Sequence, residues 1–467
     1  TDADTPGSNT MARHPHPSLN RREFLSRTSR GAMAGSLLGA TTTVAQAQES
    51  ALTKSPDGLF VGWSTITVTP DKPVQLHGQM HERVSEKVLD PCMATALALE
   101  KQGADTPEQA IMISCDVVTI DREVASEVRK RVGERLPDFD ASKLFLNATH
   151  THTGPTMMVG LYKEPDPGVM GPVEYGEFFT QQTVEAAIQA WNARNPGAVS
   201  RGLGHAAVGF NRIARYADGH ADMYGDASRP DFIGVEGGND HAVETLFLWD
   251  DRQNLTGIVI NVACPSQVVE GQRYVSADFW GPVREELRKL HSEDLYVYAM
   301  TSAAGDQSPR DLVRRGRSEL PMRDIPGQQE MARRIVNAVQ YAHAITQTER
   351  RTDPVFRHHA EVLELPARKV TDEEAAASRE AVAEANKNGA PEPGSREAGI
   401  ARRNEFVLER YESQGDAPVY PIDLHVIRLG DAAIATNPFE LYIEYGQRIK
   451  ARSRAQQTFL VQLTNER

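Results

Sequence analysis

The sequence predicts a mixed α/β fold, with β-sheets packed against flanking helices in a single large domain. Three observations predict it: short β-rich apolar runs bounded by turns, helical stripes of apolar residues at three- and four-residue spacing, and the absence of strict alternation between the two. At 467 residues the chain can bury a sizeable core, and by length alone two or three domains are equally open. A hydrophobic content of 40%, a charged content of 25% and a net charge of −13 describe a globular chain whose acidic balance argues against broad nucleic-acid contact.

In chain order, residues 1 to 48 are set apart from the fold. Asn20-Arg21-Arg22-Glu23-Phe24-Leu25 precedes the weakly apolar GAMAGSLLGA, and Ala45-Gln46-Ala47 supplies a cleavage signal. This order of features resembles a twin-arginine export leader behind a short extension before Met11, and it places the mature chain in the periplasm or beyond. No later stretch approaches the ~20 apolar residues that span a bilayer, although peripheral contact with a membrane surface stays open.

Residues 49 to 467 form the expected domain. From 59 to 149 the runs FVGWSTITVT, CMATALALE, QAIMISCDVV and KLFLNATH read as strands. Between the last two a helix begins at Asp121, carries Val124, Val128 and Val132 on one face and stops before Pro137. Further helices are expected near 174 to 193, along Val283, Leu287 and Leu290, and along Met331, Ile335, Val339 and Ala342. ETLFLWD, LTGIVINVA and LYVYAMT read as strands, and IDLHVIRL with DAAIATN as a hairpin across Gly430-Asp431. Residues 371 to 394, opened by a Thr371/Glu374 capping box, read as a solvated helical excursion. Cys92, Cys115 and Cys264 are too few and too uneven for a disulfide framework.

NATHTHTGP, residues 147 to 155, carries the candidate chemistry. If the strand KLFLNATH runs through it, His150 and His152 share one face roughly 6 to 7 Å apart, whereas on a helix they would diverge by about 200°. The pair alone leaves two readings, metal or catalytic use, or a structural pair bonded to neighbouring carbonyls. Two further polar loops leave apolar strands: SAAGDQSPR, residues 302 to 310, and NPFELY, residues 437 to 442.

In this order, VGWSTITVTP, HERVSEKVLDP, NATHTHTGP, GFNR, VSADFWG, GDQSP and NPFEL resemble the neutral (non-lysosomal) ceramidases and their bacterial relatives over about residues 58 to 467. The resemblance implies a zinc amidase that cleaves the N-acyl bond of a lipid amide, with two histidines, a glutamate and a tyrosine as ligands. It implies that His150 and Glu440 bind Zn2+, that His152 faces the substrate carbonyl, that Ser308 is the serine of the GDQSP loop and that Arg212 lies by the reacting carbonyl. Zinc held in this way lowers the pKa of bound water to around 7 and polarises an amide oxygen.

Two departures stand out. Where the family carries its second ligand histidine, as a His-Pro pair, this chain reads ACPSQV. One register puts Cys264 in that place as a metal ligand; a buried inert thiol is the alternative, and Gln267 is a further polar candidate. No residue matches the ligand tyrosine: either the C-terminal part is incomplete or the metal site is built differently. Metal-free serine hydrolysis through Ser308 and His152, and a non-catalytic binding role, remain rival classes.

Local bonding is the expectation elsewhere. Asp116 should bond loop amides, Asp306 should order its own loop and Asp278 should N-cap the next helix. Arg83 should serve structure more than the site, with His77 and His81 beside it, and Tyr442 and Tyr445 should pack a helix.

Overall fold

A computed structural model describes residues 58–102, 106–314, 322–346, 349–392 and 395–466; the leader-like segment and Pro393-Gly394 lie outside them. Eight strands form the main sheet: β1 (Leu59–Thr67), β2 (Met93–Lys101), β3 (Glu108–Cys115), β4 (Leu144–Ala148), β5 (Asn195–His205), β6 (Ala242–Asp250), β7 (Leu255–Val262) and β8 (Tyr296–Thr301). Their order across the sheet is β8-β7-β6-β5-β1-β2-β3-β4. The six central strands pair antiparallel, and the two outermost pairs, β3 with β4 and β7 with β8, run parallel.

Each parallel pair needs a crossover helix. α1 (Arg122–Arg135) joins β3 to β4, and α3 (Trp280–Leu290) joins β7 to β8. α2 (Pro172–Asn192) and α4 (Asp324–Thr346) pack beside them. A four-stranded sheet follows, β9 (Phe356–Pro366), β10 (Val419–Leu429), β11 (Ala432–Thr436) and β12 (Gln457–Val461), antiparallel except for the parallel β11/β12 pair.

Period-two alternation sorts the side chains between layers. On β2, Ala94, Ala96 and Ala98 face α1 and α2, while Leu97 and Leu99 enter the core between the two sheets. On β7, Ile258, Ile260 and Val262 face α3 and α4, while Val259 belongs to the same core as Phe356, Ile427, Ile434 and Phe459 of the second sheet. Burying each large aliphatic side chain contributes about 1.5–3 kcal/mol. The product is a layer of helices, the large sheet and the smaller sheet.

Most expected elements form. α1 buries Val128 and Val132, and α4 buries Met331, Ile335, Val339 and Ala342. The β10/β11 hairpin turns at Gly430, whose φ of +62° suits a residue without Cβ. The capping box at Thr371 and Glu374 opens α5 (Asp372–Ala385), which packs on α6 (Arg396–Ser413). Two expectations need correction. Leu290 is 55% exposed, because α3 ends there and its last turn leaves the core. Asp278 does not N-cap α3: that position is Phe279, and the Asp278 carboxylate, at φ +53°, accepts the amides of Phe279 and Val269.

Candidate active site

The loops that matter leave the carboxyl ends of β4, β7, β8 and β11, the usual place for a site in sheets with parallel pairs. β4 stops at Ala148, so His150 and His152 are not on a strand. His150 takes a left-handed φ of +63°, and the chain then turns through 151 to 154. That turn, and not strand alternation, brings the two imidazoles together. Their rings meet edge to face with centroids 4.8 Å apart, and their Nε2 atoms are 3.3 Å apart.

His150 is buried, and its Nδ1 donates to the Val118 carbonyl at 2.8 Å. Its Nε2 is 2.8 Å from Oε1 of Glu440, in the loop after β11. Glu440 is half-exposed. Burial raises its pKa, but the His150 hydrogen bond and the charges of His150 and Arg212 outweigh that, and the net effect is a lowered value.

His152 is held from three sides. Its backbone N–H donates to Ser266 and its carbonyl accepts from Arg83 at 2.7 Å. Gly78, at φ +100°, lies so close that a Cβ there would stand 2.5 Å from the ring. The Gln267 amide donates to His152 Nε2 at 2.8 Å, so that ring nitrogen accepts and Nδ1, 3.8 Å from Glu270, carries the hydrogen. Burial, reinforced by the charges of His150, His77 and Arg83, pushes the His152 pKa well down, so the ring is neutral.

Arg212 donates to the Gly305 carbonyl at 2.7 Å and to the Tyr224 hydroxyl at 3.1 Å, and that hydroxyl stands 3.4 Å from Gln267. A polar chain therefore runs from Glu440 through His150, His152, Gln267 and Tyr224 to Arg212. Asp306 ties it together, accepting from Asn211 Nδ2 and from the Ile443 N–H, each at 2.8 Å. It orders its own loop as expected, accepting from Gln307 at 3.2 Å, and also bridges three motifs. Tyr224, in the polar run ADMYGD, gave no signal in the sequence.

Other expected residues lie elsewhere. Ser308 is buried, and its hydroxyl accepts from the Arg310 N–H at 3.2 Å; no hydrogen bond joins it to either histidine. Cys264 is not brought to the cluster: its thiol points into the core under α3 and α4 and donates to Val208 O at 3.1 Å, and burial raises its pKa. Asp116 binds Arg284 in a buried ion pair and accepts the Met93 amide, and Arg83 is buried against four backbone carbonyls. Tyr442 and Tyr445 are exposed at the start of the last helix, α7 (Ile443–Arg452), and do not pack it.

The donors therefore do not complete the implied zinc site. His150 and Glu440 supply two ligands, but among the described residues no three His, Cys, Asp or Glu side chains converge to hold a metal ion.

Neither a protein-family model nor a curated protein sequence matches this chain. Solved structures do match. Neutral ceramidase from Pseudomonas aeruginosa aligns over 88% of this chain and 68% of its own, with a TM-score of 0.62 at 17% identity. A ceramidase complexed with C2 aligns over 88% and 69%, with a TM-score of 0.62 at 16% identity. The chain therefore has the fold of neutral ceramidase.

Proposed function

We propose that the protein is an amide hydrolase acting on an N-acyl bond, with lipid amides as its substrate class. The observation that carries this reading is the convergence of His150, His152, Glu440 and Arg212 from separate loops at one end of a ceramidase-like fold.

The residues divide the work. Water attacks the acyl carbon, and the Glu440 carboxylate, paired with His150, orients it and accepts its proton. The Arg212 guanidinium faces the oxygen that gains charge. The C–N bond then breaks as Glu440, held by His150, hands that proton to the leaving amine, and a carboxylate and an amine result. His152, neutral and fixed at both its backbone and its ring, positions His150. Attack by Ser308 is less well served, because its hydroxyl accepts from the Arg310 N–H and, among the described residues, no hydrogen bond joins it to a basic side chain.

Steady-state hydrolysis of N-acyl sphingoid bases and N-acyl amino acids tests the reading. Glu440→Gln should lower kcat/KM by about 100-fold or more. An unchanged rate in that variant, or no turnover of any N-acyl substrate by the unmodified protein, would end it.

A further inference from the structure

We propose that the cleft between α3, the start of α4 and residues 89–91, which lead into β2, binds a single-chain amphiphile with a carboxylate head. None of the residues lining it belongs to the histidine cluster, and the proposal does not rest on the reaction proposed above.

The cleft has a volume of about 880 Å³. Pockets that hold small organic ligands span roughly 300–1,000 Å³. Its apolar wall is built from three places: Leu89, Pro91 and Met93 beside β2, Pro282 in the first turn of α3, and Ile325 at the start of α4. Leu89 is 36% exposed and Ile325 42%, so this wall keeps apolar surface in water that a hydrocarbon chain would cover.

Arg284 and Arg288, one turn apart on α3, line the same cleft. Arg284 is buried and its two Nη atoms donate to Asp116 at 2.6 and 3.0 Å, yet its Nε has no hydrogen-bond partner among the described residues. Arg288 donates through Nε to the Leu295 carbonyl at 3.1 Å, and among the described residues no carboxylate pairs with it. Burial, followed by the charge of Arg284, pushes the Arg288 pKa down. A carboxylate set against the two guanidiniums would accept from their free N–H groups and offset that repulsion.

The other charges at the cleft are engaged or exposed. Lys289 pairs with Glu285 at 2.6 Å and with Glu286 at 3.0 Å. Asp90 accepts from Ser276 Oγ and from the Ala277 N–H, each at 2.7 Å, and burial raises its pKa. Glu293 is exposed to water. Arg288 is thus the cation left over, and it matches a monoanion; a phosphate dianion would face Asp90 and Glu285 with no second free cation to offset it.

Titration of the full chain with decanoate tests the proposal, with the methionine methyl groups carbon-13 labelled and the Met93 resonance assigned from Met93→Leu. Decanoate should shift the Met93 signal saturably. Arg288→Gln, and Ile325→Glu, which sets an acidic residue in the first turn of α4 where the helix dipole favours it, should each weaken that binding about 10-fold or more. Decan-1-ol, which has the chain without the charge, and inorganic phosphate, which has the charge without the chain, should each bind about 10-fold more weakly than decanoate. An unmoved Met93 signal at millimolar decanoate would overturn the proposal. So would unchanged decanoate affinity in both variants when their circular dichroism shows them folded, or decan-1-ol or phosphate binding as tightly as decanoate. The acyl carboxylate released by the proposed hydrolysis belongs to this ligand class, but Met93 reports binding without turnover, so an inactive protein would sink the hydrolase reading and leave this site standing.

Discussion

The Asp306 carboxylate accepts the backbone N–H of Ile443 at 2.8 Å, and with that bond the loop after β8 holds the first turn of the helix that follows Glu440. The other carboxylate oxygen accepts from Asn211, next to Arg212. One side chain thus sets the spacing between the proposed proton acceptor and the proposed oxyanion partner.

Asp306→Asn keeps the shape but replaces one acceptor by an amide donor that faces an N–H. We expect a loss of about 1–3 kcal/mol of stability in denaturant unfolding. On N-acyl substrates kcat should fall more than KM rises, because misplaced Glu440 and Arg212 act mainly on the transition state. A loss of stability with unaltered kcat would show that Asp306 serves the fold alone.

Gly78→Ala introduces a Cβ that would overlap the His152 ring, at a φ of +100° that side chains rarely adopt. The ring must shift, which disturbs its bond with Gln267. We expect destabilisation of about 1–2 kcal/mol and a larger proportional loss of activity. Full activity in a stable Gly78→Ala protein would mean that the position of His152 is unimportant.

Outside the site, His358 Nε2 and His425 Nδ1 lie 3.1 Å apart, buried between the two sheets beside Phe145. Burial pushes His358 down to about 4 and His425 well below its usual value. Unfolded histidines titrate near 6.5, so below that pH the unfolded chain binds more protons and stability falls as the pH drops. Lys143, whose ammonium donates to the His358 carbonyl, adds to this depression. His358 alone should contribute about 3 kcal/mol of this loss by pH 4. Melting temperatures measured from pH 7 to 4 should fall less steeply in His358→Gln, and parallel curves would refute the assignment.

Much of the fold was legible because burial imposes a local period. Ala94, Ala96 and Ala98 alternate with Leu97 and Leu99, and a strand between two apolar layers has to carry such residues on both faces. α1 and α4 were legible for the same reason, in the helical period. The pairing of His150 with His152 was anticipated through the wrong geometry. Strand alternation suggested it, but the strand ends at Ala148 and a left-handed residue makes the turn.

The sequence by itself determined most strands and helices, since these follow from patterns within a few residues of one another, and its resemblance to a known family pointed to His150, His152, Arg212 and Glu440. Only the tertiary structure decided which of them meet. Spacing along ACPSQV pointed to Cys264, yet the direction in which each side chain leaves the loop depends on what packs beneath it. The apolar core takes the thiol, and Gln267 turns to His152. Tyr224 enters the same polar chain from a segment with no pattern of its own, because its position is set by hydrogen bonds to Arg212 and Gln267 across the fold.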